Sequence, residues 1–247
     1  MNDTPRRSTA LRATVRASGV LEPPKTLALR WLLPALAGKG AGHHVALTFD
    51  DGPDPASTPA FLDVLDRLGW RATFFMLGSM VERYPSLAAE VASAGHEVAS
   101  HSYLHESHYF RSPRLVRYDV ERSVTVISSA TGVRLRWFRP PYGSISAAGL
   151  LAARRAGMRM VIWTACGQDW RAGATPQSVA GRVGRNLKAG ATVLLHDSDC
   201  VASPGSWRST LGALPLLAEL ATERGLEVGP LRDHGLDTRN EPLRKAR

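Results

Sequence analysis

Cysteine is nearly absent from this sequence: its 247 residues include two, Cys166 and Cys200. Two thiols cannot form the disulfide framework of a small secreted domain, so a cytoplasmic location is the default reading, with export or cell-envelope association as the alternative. Long hydrophobic runs are missing as well. No stretch approaches the roughly 20 apolar residues that cross a bilayer, and the best N-terminal candidate, residues 27–37, is broken by Arg30 and Pro34 and makes a poor signal peptide. Neither a G-x-G-x-x-G fingerprint nor a phosphate-binding P-loop occurs, so nucleotide cofactors are not indicated. Acidic residues are outnumbered, 22 against 31 Lys and Arg, for a net charge of +9. Yet residues 1–40 hold seven basic side chains against two acidic, and residues 232–247 hold five against three, which leaves 19 against 17 in the body. The basicity belongs to the ends, and specific nucleic-acid binding is not expected from it.

What is present is one repeating rhythm. Extended candidates fall at 45–50, 70–77, 96–100, 135–139, 158–163, 191–196 and 226–229, separated by helix-like segments at 57–69, 85–94, 114–130, 146–156, 176–189 and 209–224. The first of these helices opens with Ser57 as a capping residue and a proline in its first turn. Glycines follow the helices closely, at Gly69, Gly95, Gly132, Gly157, Gly190 and Gly225, where a left-handed residue lets the chain turn back. Seven β/α units in series predict an α/β protein with a parallel sheet. Polar residues end several different strands, which favours a barrel over an open sheet with one switch point. We expect a single domain over residues 43–231, a basic and flexible N-terminal segment over 1–42, and a polar tail over 232–247.

The chemistry concentrates at those strand ends. Val45–Phe49 is a buried-strand pattern that stops at Asp50-Asp51-Gly52-Pro53. Adjacent strand side chains point to opposite sides, so the two carboxylates are suited to different tasks, one binding a cation while the other stays free as a base. Read alone, Asp-Gly-Pro is also an ordinary turn. His101 and His105, four residues apart, fall on one face of a helical turn and can converge on one ion. With a carboxylate they complete a two-His, one-carboxylate set that suits catalytic zinc, although non-haem iron accepts a similar one. His96 and His108 miss that spacing and are read as structural. Arg139 ends a strand and is followed by two prolines that stiffen Tyr142-Gly143. His196, tipping the strand Thr192–Leu195 with Asp197 beside it, has the pKa range of a general acid or base.

Taken together, TFDDGP at 48–53, H-S-x-x-H at 101–105, R-x-P-Y at 139–142 and L-x-H-D at 194–197 resemble the polysaccharide deacetylases that share the NodB homology domain, carbohydrate esterase family 4. The resemblance covers roughly residues 44–230. It implies a distorted (β/α)7-type barrel with its active site at the C-terminal ends of the strands, a divalent metal, zinc above others, and hydrolysis of N-acetyl or related acyl groups on an acetylated glycan. Carried over position by position, it makes Asp51, His101 and His105 the metal ligands, Asp50 the general base and His196 the general acid. Arg139 then orients Asp50, the Tyr142 amide supports the oxyanion, and Leu194 lines the acyl pocket. One motif departs from the pattern. Where the family usually reads D-x-x-D-W, this chain reads Cys166-Gly-Gln-Asp169-Trp170; Asp169 remains as a supporting carboxylate and Trp170 as a sugar contact. Cys166 and Cys200 both follow strand ends, which makes a disulfide between them conceivable. Rival readings are hydrolysis of another linear amide or O-acetyl ester, a glycan-binding domain weakened by Cys166, and a basic-tail nucleic-acid binder.

Overall fold

The computed structural model describes residues 36–236, so most of the expected N-terminal segment (1–35) and most of the C-terminal tail (237–247) lie outside the described residues. Eight strands alternate with seven helices among them. The strands are β1 (His44–Asp50), β2 (Thr73–Met76), β3 (Glu97–Ser100), β4 (Trp137–Phe138), β5 (Arg159–Met160), β6 (Ala165–Cys166), β7 (Thr192–His196) and β8 (Glu227–Gly229). The helices are α1 (Thr58–Arg67), α2 (Gly78–Arg83), α3 (Pro85–Ser93), α4 (Pro113–Thr131), α5 (Ala147–Arg155), α6 (Pro176–Gly184) and α7 (Trp207–Glu223). All pairings are parallel, in the order β5-β4-β3-β2-β1-β7-β6, with β8 on the first half of β1. No ladder joins β5 to β6 among the described residues. The sheet therefore curls into a distorted (β/α)7 barrel that stays open on one side. Residues Leu36–Gly40 pack along that side, Leu36 accepting from the Ile162 amide at 2.9 Å and Gly38 from the Thr192 hydroxyl at 2.7 Å.

Strand alternation sorts the side chains into two layers. Leu47, Phe49, Phe74, Val98, Phe138, Val193 and Leu195 point outward and pack beneath Phe61, Leu65, Ile127 and Leu214 of the helices. Ala46, Phe75, Ala99, Trp137 and Val161 point inward and are closed off by Leu231 and Leu236. Thr48, Asp50, Arg139, Leu194 and His196 occupy the same inward register, so the interior that is apolar at its base becomes polar at the strands' C-terminal ends.

Several sequence expectations change in detail. Seven extended segments are found where seven were expected, and β6 is an eighth, too short for a periodic signal. Helix α2 was not anticipated, and α6 stops at Gly184, five residues before the expected end. Ser57 does not cap α1 through its side chain; its hydroxyl donates instead to the Asp197 carbonyl at 2.5 Å. Gly132 closes α4 at φ +69°, as the sequence suggested. At the base, Leu36, Ala37, Leu231, His234 and Leu236 are buried, so packed residues extend on both sides of the 43–231 expected as the domain. No helix among the described residues is long and apolar enough to cross a membrane.

Candidate active site

The two aspartates ending β1 take different environments. Asp50 faces the barrel interior, where its Oδ1 accepts from Arg139 Nη1 at 2.6 Å. Arg139 follows β4, is 0% exposed, and lies over the Phe75 ring with its Cζ 4.0 Å from the centroid. Its Nη1 also donates to Thr48 Oγ1 (2.8 Å) and its Nη2 to the Ile162 carbonyl (3.1 Å), while Nε has no hydrogen-bond partner. Three fixed contacts leave the guanidinium a single orientation towards Asp50. Burial raises the Asp50 pKa and Arg139 opposes the shift.

Asp51 is past the strand, at φ +84°, with its amide donating to the Phe75 carbonyl at 3.2 Å. From that left-handed residue the carboxylate reaches two imidazoles, one of which, His101, also lies 3.8 Å from Asp50 Oδ2 through its Nε2. Asp51 Oδ1 is 3.5 Å from both His101 Nε2 and His105 Nε2, and it is buried without a hydrogen bond. One donor atom from each of these three residues lies within 4.8 Å of the others. Ligands about 2.0–2.1 Å from a tetrahedral zinc stand about 3.4 Å apart, so an orphaned carboxylate oxygen 3.5 Å from two imidazole nitrogens fits a cation better than it fits a hydrogen-bonded cluster. His101 Nδ1 donates to the Arg139 carbonyl at 2.8 Å, which fixes the tautomer with Nε2 free towards Asp51. Burial drives His101 well below its ordinary value and His105 to about 3. Both stay neutral, the state in which imidazole ligates a metal.

The expected helical turn at 101–105 is absent: the segment is a loop, with Ser102 at φ +73°. What holds it is Asp119 of α4, buried, accepting from the Tyr103 amide at 3.0 Å, the Leu104 amide at 3.2 Å and Arg111 at 3.1 Å. His108 reaches Ser102 Oγ at 3.1 Å and His96 accepts from the Ala72 amide at 3.2 Å, so both pack structurally as expected.

His196 approaches from the other side. Its Nδ1 meets Asp169 Oδ1 at 2.9 Å, its amide donates to Asp169 Oδ2 at 2.8 Å, and Thr210 Oγ1 of α7 donates to the same oxygen at 2.7 Å. Burial pulls the His196 pKa down, but Asp169 overrides it and lifts the imidazole to about 10. Its Nε2 points at the centre, 4.0 Å from Asp51 Oδ2. Two aromatic rings flank the site: Tyr142, 54% exposed, stands edge-on to His105 at 4.3 Å, and Trp170, 36% exposed, edge-on to His196 at 5.3 Å. Leu194 is buried one inward position below His196.

All ten residues singled out from the sequence therefore converge on one end of the barrel. The Cys166–Cys200 pairing does not form: both thiols are free. Sequence reasoning missed Thr48, Asp119, Thr210 and the part played by Asp197. Thr48 was readable, two positions before Asp50 on the same face of β1. Asp197 turns away from the site, accepting from Thr58 Oγ1 at 2.6 Å and pressing against Gly52, where a Cβ would collide with its carboxylate. It fastens the turn that carries Asp51.

A model of the polysaccharide deacetylase family matches residues 37–161, half of the chain, including Asp50, Asp51, His101, His105, Arg139 and Tyr142. The chain belongs to the polysaccharide deacetylase family. It is 36% identical over 197 residues to a chitooligosaccharide deacetylase of Bradyrhizobium sp. (strain ANU 289), covering 76% of this chain and 88% of that one. Among solved structures, the Bc1960 peptidoglycan N-acetylglucosamine deacetylase superposes with a TM-score of 0.76 at 27% identity, over 83% of this chain and 95% of that one. A family 4 carbohydrate esterase pseudoenzyme from Bacillus anthracis superposes with a TM-score of 0.71 at 29% identity, over 79% of this chain and 66% of that one. Polysaccharide deacetylases are metal-dependent, and among the described residues Asp51, His101 and His105 form a group able to hold an ion.

Proposed function

We propose that this polysaccharide deacetylase hydrolyses N-acetyl groups on a glycan containing N-acetylglucosamine, using a divalent cation, zinc, held by Asp51, His101 and His105. One observation carries the reading: an arginine-held carboxylate and an Asp169-paired imidazole, neither of them among the three clustered donors, both border a buried three-ligand cluster. Bound there, the cation supplies Lewis-acid polarisation of the acyl oxygen and acidifies the attacking water. Asp50, aimed by Arg139, takes the proton from that water as it attacks the carbonyl carbon. The amide N–H of Tyr142 donates to the oxyanion, and Leu194 receives the acyl methyl. His196, kept cationic by Asp169, gives its Nδ1-anchored imidazole a fixed aim and passes its Nε2 proton to the departing amine, which leaves poorly as an anion. Tyr142 and Trp170 offer ring faces to the sugar.

The relatives support the substrate class, being chitooligosaccharide and peptidoglycan N-acetylglucosamine deacetylases. The decisive measurement is acetate release from N-acetylglucosamine oligomers, lost on chelation and restored by zinc. A second reading has its own observation: Cys166 stands where the family usually has an acid, Arg139, whose charge it feels, keeps an unpartnered Nε, and one structural neighbour is a pseudoenzyme. Tight binding of oligomers and metal with no acetate from any acetylated polymer or small amide would favour that glycan-binding role.

A further inference from the structure

The catalytic groups crowd the mouth of the barrel, and the opposite end carries a cavity of about 320 Å³ that the reaction does not use. It is lined by Arg134, Leu135 and Arg136, which lead into β4, and by Gly157 and Arg159, where β5 begins. The two segments are held together by the β4–β5 ladder, in which Trp137 faces Arg159, and by the Arg159 amide donating to the Arg136 carbonyl at 2.8 Å. Leu135 is buried and anchors its segment, while Arg134 and Arg136 on either side are exposed. Gly157 leaves room for the first of them: it sits at φ +75°, and a Cβ there would lie 3.6 Å from Arg134 Nη2. Arg134 makes no salt bridge among the described residues. Arg159 is half-buried, its Cζ 5.4 Å from the Trp137 ring centroid and its Nη2 donating to the Leu236 carbonyl at 2.9 Å. That contact uses one of its five N–H groups.

Charge around this cavity is one-sided. Between Glu121 and Asp169 the sequence holds seven arginines and no Asp or Glu, so the near-neutral balance of the body conceals a wholly basic stretch. Arg154 and Arg155, exposed in the last turn of α5, stand beside the cavity, and the Gly157 amide donates to the Arg154 carbonyl at 3.1 Å. A carboxylate's two oxygens are filled by one guanidinium fork. A phosphate dianion presents three free oxygens and two charges, which suits three guanidinium groups set around one space. We infer that this cavity is a binding site for a phosphate group, contacted by Arg134, Arg136 and Arg159. The inference is independent of the proposed deacetylation, since none of the residues that line the cavity belongs to that site. Two sources share the chemistry: a soluble phosphate and the headgroup of a phosphomonoester lipid.

The test is calorimetry of inorganic phosphate into the zinc-loaded full chain, beside co-sedimentation with phosphatidylcholine vesicles that contain or lack phosphatidic acid. Both are run at physiological ionic strength, where exposed charges more than about 8 Å apart are largely screened. We expect at least one phosphate probe to bind, and Arg134→Gln/Arg136→Gln to weaken that binding roughly ten-fold or more. Arg134→Gln alone, which breaks no salt bridge among the described residues, shifts it several-fold in the same direction. Arg154→Gln/Arg155→Gln, outside the lining, stays within about twofold of the parent. Asp51→Ala, at the other end of the barrel, keeps the binding. Saturable uptake of inorganic phosphate identifies the soluble source, and binding confined to phosphatidic acid vesicles identifies the lipid. Failure of both probes overturns the site. So does an equal loss in the two double variants, which would mean diffuse charge in place of a cavity, and so does loss in Asp51→Ala, which would put the phosphate at the metal centre.

Discussion

His196 is a histidine whose charge is set chiefly by Asp169, with Asp51 and Asp50 acting in the same direction. Burial alone would keep it neutral, and Asp169, held by the His196 amide and Thr210, reverses that and lifts the imidazole to about 10. Asp169 itself is held below its ordinary value, because burial is outweighed by the cation and hydrogen bonds it receives. The signs then follow for folding. The raised histidine stabilises the fold fully below its unfolded value and loses that contribution as pH climbs through about 10; the lowered aspartate contributes above the ordinary carboxylate range and loses it as pH falls. In chelated protein, Asp169→Asn therefore lowers the His196 pKa from its parent value of about 10, followed by NMR titration of the ring protons; a value unmoved from that of the parent protein would contradict the pairing. The division between the two β1 aspartates gives a second test. Asp51→Ala abolishes zinc binding by calorimetry, whereas Asp50→Asn retains zinc and loses acetate release by roughly 10²-fold or more. Cys166 gives a third. Its thiol, raised by burial to about 12, stays neutral and offers the buried Arg139 no anion. Cys166→Asp shares the guanidinium between two carboxylates, leaves Asp50 the stronger base, and raises kcat severalfold, while Cys166→Ser stays within about twofold.

Elements explain why some of this was readable and some was not. The strand tips were legible because a short apolar run stopped by polar and turn residues is a local signal: Val45–Asp50 and Thr192–His196 show both the buried strand and the polar residues that end it. The helix-terminating glycines were legible for the same reason, since a φ +69° residue such as Gly132 is a requirement of the backbone alone. The segment 101–105 was misread as a helical turn because four-residue spacing does not distinguish a helix from a tight loop whose donors are satisfied from afar. Asp119, fourteen residues past His105, supplies that satisfaction, and nothing in its immediate sequence points to it. Its substitution by Ala strands the buried Tyr103 amide, frees the part-buried Leu104 amide and releases Arg111, at a cost of about 2–3 kcal/mol. Because that loop carries His105, zinc affinity should fall together with the melting temperature, each read on the same Asp119→Ala preparation. Unchanged zinc affinity would mean that His105 is placed by other contacts.

At the scale of the molecule, the barrel separates its work by end. Along β1 the interior side chains run from Ala46 at the base to Asp50 at the mouth, four residues and about 13 Å apart. The base is sealed by Leu231, whose amide donates to Thr73 Oγ1 (2.8 Å), and by Leu236, whose carbonyl accepts from Arg159 at 2.9 Å. Glu97 joins this floor to the wall, accepting from Thr73, Trp137 and the Arg232 amide at 2.7, 3.0 and 2.9 Å. Phe75 and the Arg139 guanidinium stacked on it stand between floor and site. Stability and chemistry can therefore be perturbed independently. Leu231→Ala removes a side chain that is 1% exposed, for a loss of about 2.7–5 kcal/mol. For a chain of this size that lowers the melting temperature by roughly 5–20 °C. Zinc affinity, measured well below the melt, stays within about twofold of the parent, because no ligand or ligand-holding contact reaches the floor. A ten-fold loss of zinc affinity in Leu231→Ala would show instead that the base and the mouth of the barrel are mechanically coupled through Phe75.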